Sequence, residues 1–219
     1  LPERTEKPLV LPGAPGAQRI LSSRGDSRES RADLRQAAKA LGKCAKEEKS
    51  SGQTQSARHL WFHAATCLEL AQDIREAALI FVKAGHHERA IRSLFAKALM
   101  SDGVRILLAH GKKLESAIQQ ELLNYCRSHY FNRFAYESLP PLFDFNLDEE
   151  LLYARMNNFR SQLIYLLDQN GRFEELAAVY LEERALVDTL DAFLKDFRKY
   201  GRTSSLSEGA KVVIGYAEN

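Results

Sequence analysis

His59, His63 and Cys67 fall at i, i+4 and i+8. On one helix that spacing would aim two imidazoles and a thiolate along one face, and zinc accepts such ligands. Structural zinc normally uses closely spaced Cys/His pairs and a fourth ligand, which is missing locally, so we prefer a packing face between stacked hairpins. His86 and His87 follow Gly85, and adjacent residues diverge on a helix. Asp148-Glu149-Glu150, Glu174-Glu175 and Glu182-Glu183 are runs of carboxylates. A hydrolase sets its carboxylates across a cleft, whereas consecutive residues spread around a helix. We read them as solvated surface, well placed for the helix dipole. The sequence holds no G-x-S-x-G, no C-x-x-C and no G-x-x-x-x-G-K-[ST]. We assign no catalytic, cofactor-binding or metal-ligating residue and expect no cofactor.

A basic block comprises Arg19, Arg24, Arg28, Arg31, Arg35, Lys39, Lys43, Lys46 and Lys49. Arg24, Arg28, Arg31 and Arg35 would form a stripe if helical, and such a stripe could contact phosphates. Residues 1–58 contain no phenylalanine, tyrosine or tryptophan to stack on bases. A solvated helix face is therefore the preferred reading. Tyr125, His129, Tyr130, Phe131, Phe134 and Tyr136 cluster in sequence and read as core plus a packed turn rather than a ligand cage.

The elements that must position these residues are helical. The chain has 219 residues, 45% hydrophobic and 27% charged, enough for a buried core and outside the range of disordered chains. Its mean hydropathy is −0.35, and no apolar run approaches the length of a membrane span. The first residues, LPERTEKPLV, have no basic-then-apolar pattern of a secretory signal. The first residue is not Met, and a fragment of a longer protein is expected. Cys44, Cys67 and Cys126 are three and far apart, as free thiols of a reducing, intracellular compartment would be. The net charge of +2 hides an asymmetry, +5 over residues 1–58 and −5 over residues 142–199.

The prolines are Pro2, Pro8, Pro12 and Pro15 near the start and the adjacent pair Pro140-Pro141. Between and beyond these two places the chain is rich in Ala, Leu, Glu, Arg and Lys, so an all-α fold is expected, with helix above roughly 60% of residues. Helix is expected over Arg31–Lys49, with Leu34, Ala38, Leu41 and Ala45 on one side. Ser50–Thr54 reads as a loop. Asp73 with Glu76 reads as a capping box, Gly85 as a C-terminal stop, and Ser101-Asp102-Gly103, His110-Gly111 and Asn170-Gly171 as turns. Leu114–Tyr130 is a longer helix carried by Leu114, Ile118, Leu122 and Tyr125. Asn146 caps the next helix, and Gly201–Glu208 reads as a polar loop. Trp61, Phe81, Leu94, Leu163, Leu176 and Phe193 are the expected core. Arg155, Arg160 and Arg172 are expected to pair with carboxylates of the acidic half.

Short helices joined by tight turns must lie antiparallel and stack, because a two-helix unit cannot bury both faces. The expected architecture is an irregular α-solenoid of stacked antiparallel helical hairpins, tetratricopeptide-like. Its units are spaced about 26–28 residues, shorter than the roughly 34 of a regular tetratricopeptide repeat. The organisation read from the sequence is an extended basic arm over 1–30, a hairpin array over 31–139, and a second array over 140–219 packed on the first.

The segment LPPLFDFNLDEELLYARMNNFRSQLIYLLDQNGRFEELAAVYLEERALVDTLDAFLKDF, Leu139 to Phe197, resembles a region of the TPR and ankyrin repeat-containing protein 1 family. The features that carry the likeness are LFDFNLDEELL, an Arg ahead of a Leu-rich helix, and QNGRFEELAAVYLEE. SRADLRQAAKALGKCA and AALIFVKAGHHERAIRSL upstream are similar to the same helical array, so the likeness covers most of Arg31–Phe197. Members of the family, including many fungal ones, carry a UvrD-like superfamily 1 helicase core followed by an irregular helical array. The resemblance implies a parent protein with ATP-dependent helicase homology whose catalytic motifs lie outside this segment. The expected function is a non-catalytic interaction or scaffold domain, with a protein or other domains of the parent chain as partner and no membrane. The alternative is a nucleic-acid-binding accessory domain using the basic N-terminal face.

Overall fold

The computed structural model describes residues 28–217. Of these, 84% are helical, in eleven α-helices and three short 3-10 segments, with no strand among the described residues. The all-α expectation holds. The chain divides into two compact units at Cys126/Arg127.

In the first unit α1 (Arg28–Ser50), α2 (Thr54–Leu70), α3 (Ile74–Ala84), α4 (His87–Ala96) and α5 (Met100–His110) follow one another. Each packs on its neighbour in sequence. A 3-10 turn, Gly111–Lys113, leads to α6 (Ser116–Asn132), in which the dividing point falls. The core joins Ala38, Ala65, Leu68, Ile74, Ala77, Ala78, Phe81, Ala90 and Leu94. Alanine supplies five of these nine positions, which brings helix axes close. Of the expected basic arm, residues 1–27 lie outside the described residues, and Arg28 opens α1.

The second unit has 3-10 segments at Tyr136–Ser138 and Pro140–Phe143, the latter at the expected proline break. Then come α7 (Leu147–Met156), α8 (Arg160–Gln169), α9 (Phe173–Glu182), α10 (Leu186–Tyr200) and α11 (Thr203–Ala217), again packed in sequence order. Phe131, Leu139, Phe143, Leu163, Leu167 and Leu176 are fully buried. Arg127 is buried with them. Its guanidinium lies 4.0 Å over the Phe143 ring and donates to the Leu142 carbonyl at 2.9 Å and to Glu149 at 2.8 Å. A buried cation requires that full set of partners.

One turn geometry recurs in both units. Gln72, Gly85 and Ala98 are left-handed and evenly spaced, and so are Asn158, Gly171 and Arg184, at the same interval. The residue that follows each has φ between −92° and −80° and ψ between 56° and 72°. Its N–H bonds back to the carbonyl five residues earlier, as Asp73 does to Leu68 and Arg172 to Leu167, both at 2.9 Å. Its own carbonyl accepts the first bond of the next helix, Ala77 N–H on Asp73 and Leu176 N–H on Arg172. This is a Schellman ending fused to a helix start. Only Gly85 and Gly171 of the six left-handed residues are glycines, which is why the sequence shows no strict period.

Several local expectations are corrected. Ser101-Asp102-Gly103 is not a turn but the first turn of α5, and the chain reverses at Lys97-Ala98 instead. Gly103 is there for space, since a Cβ would fall on the Phe95 ring. Asp73 occupies the N-cap position but makes no capping bond, because Arg35 holds its carboxylate. Gly201–Glu208 is mostly helix, from Thr203 onward. On α6 the exposed face takes Tyr125, while Leu122 and Cys126 are buried. Phe81, Leu94, Leu163 and Leu176 are core as expected, but Trp61 and Phe193 are only half-buried. Phe193 lies at the edge between α10 and Gly209 of α11. Asn146 does cap α7, accepting from the Glu149 N–H at 3.4 Å.

Ala98 holds a left-handed conformation that costs a side chain about 1–2 kcal/mol. Ala98→Gly is therefore expected to stabilise the first unit by about 0.5–1 kcal/mol, after glycine's own entropy loss. Phe81→Ala, at 0% exposure, is expected to destabilise it by about 3–5 kcal/mol. Trp61, the sole tryptophan, reports both changes by fluorescence during chemical denaturation.

Candidate interaction groove

α1 and α3 both pack on α2, and a furrow runs between them. Arg35 on α1 meets Asp73 at the start of α3, and further along Lys46 and Lys83 line the same space. The two walls therefore run parallel, with α2 as floor. The furrow encloses about 1010 Å³ and continues into a second hollow of about 570 Å³ around Trp61. From Arg35 to Lys49 it follows about 21 Å of helix, at ~1.5 Å per residue.

The sequence sets the charge of the walls by helical spacing. Lys39, Lys43 and Lys46 recur every turn on α1, and Lys83 and Lys97 project from the α3 end and the α4–α5 turn. Seven cationic side chains line the larger hollow against the two carboxylates Asp73 and Glu76. Arg35 donates to Asp73 at 2.5 and 2.8 Å, and Arg75 donates to Asp102 at 2.9 Å. The Arg35 hydrogen bond holds the Asp73 carboxyl below its usual pKa range. Lys39, Lys46, Lys49, Lys83 and Lys97 form no ion pair among the described residues. The Lys49 ammonium sits 5.6 Å from the centre of the Trp61 ring. Between the walls lie Ala38, Leu68, Ile74, Ile80 and Leu99.

This arrangement combines ammonium groups with an apolar floor. The described lining between Arg35 and Leu99 contains no histidine or cysteine, and the Ser50 hydroxyl in the second hollow donates to the Glu47 carbonyl at 2.7 Å. The furrow can bind an anionic partner that also carries apolar groups. In the sequence the lysines read as a solvated face; their enclosure depends on α3 and on the α4–α5 turn, neither of which is legible from α1. Of the other arginines in that block, Arg19 and Arg24 lie outside the described residues, and the buried Nε of Arg31 has no hydrogen-bond partner among the described residues.

The remaining candidates are dispersed. His59 is exposed beside Gln55, whereas Cys67 packs against the core and burial pushes its thiol pKa up. No three His, Cys, Asp or Glu side chains are grouped to hold a metal among the described residues. His86 packs on Phe62 at 4.6 Å and His87 stacks on His110 at 4.6 Å, so the adjacent pair diverges. The aromatic cluster splits similarly. Phe131 stacks on Phe159 inside the second unit, Tyr136 stacks on Tyr165, and Tyr125 and Phe134 are exposed.

The carboxylates pair with arginines rather than with one another. Asp148 meets Arg172 at 2.9 Å, Glu175 meets Arg155 at 3.3 Å, and Glu182 and Glu183 meet Arg160 at 3.1 and 2.6 Å. The expected pairing of all three arginines holds. Glu150 differs: it is 5% exposed, and burial pushes its pKa up to about 7. An unfolded glutamate titrates near 4.3, so between about pH 4.3 and 7 the native state binds the extra proton and stability falls as pH rises. Glu150→Gln is expected to be near neutral at pH 4.5 and to stabilise by on the order of 2 kcal/mol at pH 8. Denaturation followed by ellipticity at the two pH values checks this, and an equal effect at both would refute it.

No family model, curated protein or solved structure matches this chain.

Proposed function

We propose that this chain is a non-catalytic helical-repeat interaction domain, an irregular α-solenoid of stacked antiparallel hairpins that offers a groove to a protein partner or to other domains of its parent. The observation that carries this reading is the furrow between α1 and α3, basic on its walls and apolar on its floor. Support for a repeat architecture comes from the fused turn, which recurs at one even interval through Gln72, Gly85 and Ala98 and again through Asn158, Gly171 and Arg184. Within this reading the resemblance of Leu139–Phe197 to the TPR and ankyrin repeat-containing protein 1 family makes the chain a helical part of a larger, intracellular, UvrD-like helicase-related protein. The chain neither binds nor hydrolyses ATP by itself. Phosphoryl transfer needs a backbone cradle, a lysine on the phosphates and Mg²⁺ ligands, and Gly85 and Gly171 serve as helix stops.

The second reading is a nucleic-acid-binding accessory domain, favoured by the unpaired lysines alone. Photo-crosslinking separates the two. With a photoreactive amino acid at Lys43 in the groove, protein adducts are expected in excess over those from exposed Lys112 outside it. Nucleic-acid adducts alone would favour the second reading. Calorimetric titration with Mg-ATP is expected to give no saturable heat, and a micromolar Kd would reopen an enzymatic role.

A further inference from the structure

We propose that the occupant of the α1/α3 furrow is an acidic amphipathic helix, its apolar stripe on the floor and its carboxylates against both walls. This rests on the interaction reading above and specifies the partner's chemistry. Three features lead to it. Lys39, Lys43 and Lys46 rise one per turn along one wall, and Lys83 and Lys97 stand on the other. Carboxylates on both flanks of a helix would meet these two rows. The floor between them offers Ile80 and Leu99 over the buried Leu68, with half-buried Trp61 towards one end. That is the counterpart of apolar anchors at i, i+3, i+4 and i+7. The furrow follows about 21 Å of α1, the length of about 14 helical residues.

The same features disfavour single-stranded nucleic acid. Its usual platform interleaves several aromatics with cations, whereas Trp61 is the one aromatic ring in this lining. Arg35 and Arg75, the groups best suited to bidentate phosphate contact, are held by Asp73 and Asp102. Asp73 and Glu76 also place negative charge in the furrow. A second copy of this chain is a poor occupant, because the carboxylates of its acidic helices α7 and α9 are largely engaged by Arg127, Arg155, Arg160, Arg172 and Arg202.

The test uses the full chain and Trp61 emission. The probe is a synthetic helical peptide just longer than the furrow, about four to five turns, with leucines on one face and glutamates flanking them. Comparators are the same composition scrambled to break the stripe, and a single-stranded oligonucleotide of similar charge. Saturable binding of the patterned peptide is expected, with a shift in Trp61 emission. It should weaken at least about tenfold between 0.1 M and 1 M salt, where the screening length falls from about 10 Å to 3 Å. Lys46→Glu with Lys83→Glu should weaken it at least tenfold with the circular dichroism unchanged, and Lys112→Glu should not. Lys46→Gln with Lys83→Gln should give an intermediate loss. Equal binding of the scrambled peptide, tighter binding of the oligonucleotide, or indifference to the lysine variants would overturn the proposal. Should the peptide fail while protein adducts still form at position 43, the acidic-helix assignment falls and the interaction reading stands. Loss of both would remove both.

Discussion

The fold depends on a turn in which one residue acts twice. At six such turns the N–H of one residue closes the preceding helix and its carbonyl opens the next, as at Asp73, His86 and Arg172. Helix ends ordinarily leave four donors and four acceptors unsatisfied. A ten-residue helix has too few internal bonds to be stable alone. Ending one helix and starting the next at the same residue uses those groups without a loop. It also fixes which way the chain reverses. In the first unit the positions five before and four after that residue fall inside: Leu68, Phe81 and Leu94 in one series, Ala77 and Ala90 in the other, all at or below 4% exposure.

That geometry explains why a groove exists. When each helix packs on its neighbour, alternate helices run parallel and share a common floor. The longer α1 extends one wall beyond α3, and α2 contributes Trp61 where that wall outruns its partner. Phe81 and the alanines are consumed by the core, so the furrow is left to larger apolar side chains at its base and to lysines at its rim. Arg35 and Asp73 tie the two walls at one end, and Lys46, Lys49 and Lys83 lie at the other, around Trp61.

Both units pair carboxylates with arginines of other helices and turns, and the second also takes two charges inside with full partnership. Arg127 has a ring, a carbonyl and Glu149. Asp196, fully buried, accepts from the Ser205 hydroxyl at 2.5 Å and from Arg202 at 3.4 Å. Glu150 has no such set, and burial raises its pKa accordingly. Most carboxylates over residues 142–199 are thus engaged by cations, while of the α1 lysines only Lys43 has an ion-pair partner among the described residues, Glu47 at 3.9 Å.

Composition and periodicity alone determined the helical class, the caps at Gly85 and Asn146, and four of six expected core residues. These follow from local rules, namely proline placement, helical spacing of apolar side chains and the conformational preferences of glycine and asparagine. The recurring turn was illegible because Gln72, Ala98 and Arg184 adopt a left-handed conformation that their side chains do not favour. Ser101-Asp102-Gly103 carried a turn signature yet became helix, since Gly103 was selected by the Phe95 ring and not by backbone freedom. Lys39, Lys43 and Lys46 read as ordinary solvated charges along one helix. Only tertiary structure set α3 and the α4–α5 turn opposite them and made a groove, because enclosure belongs to residues far apart in sequence and no single helix encodes it.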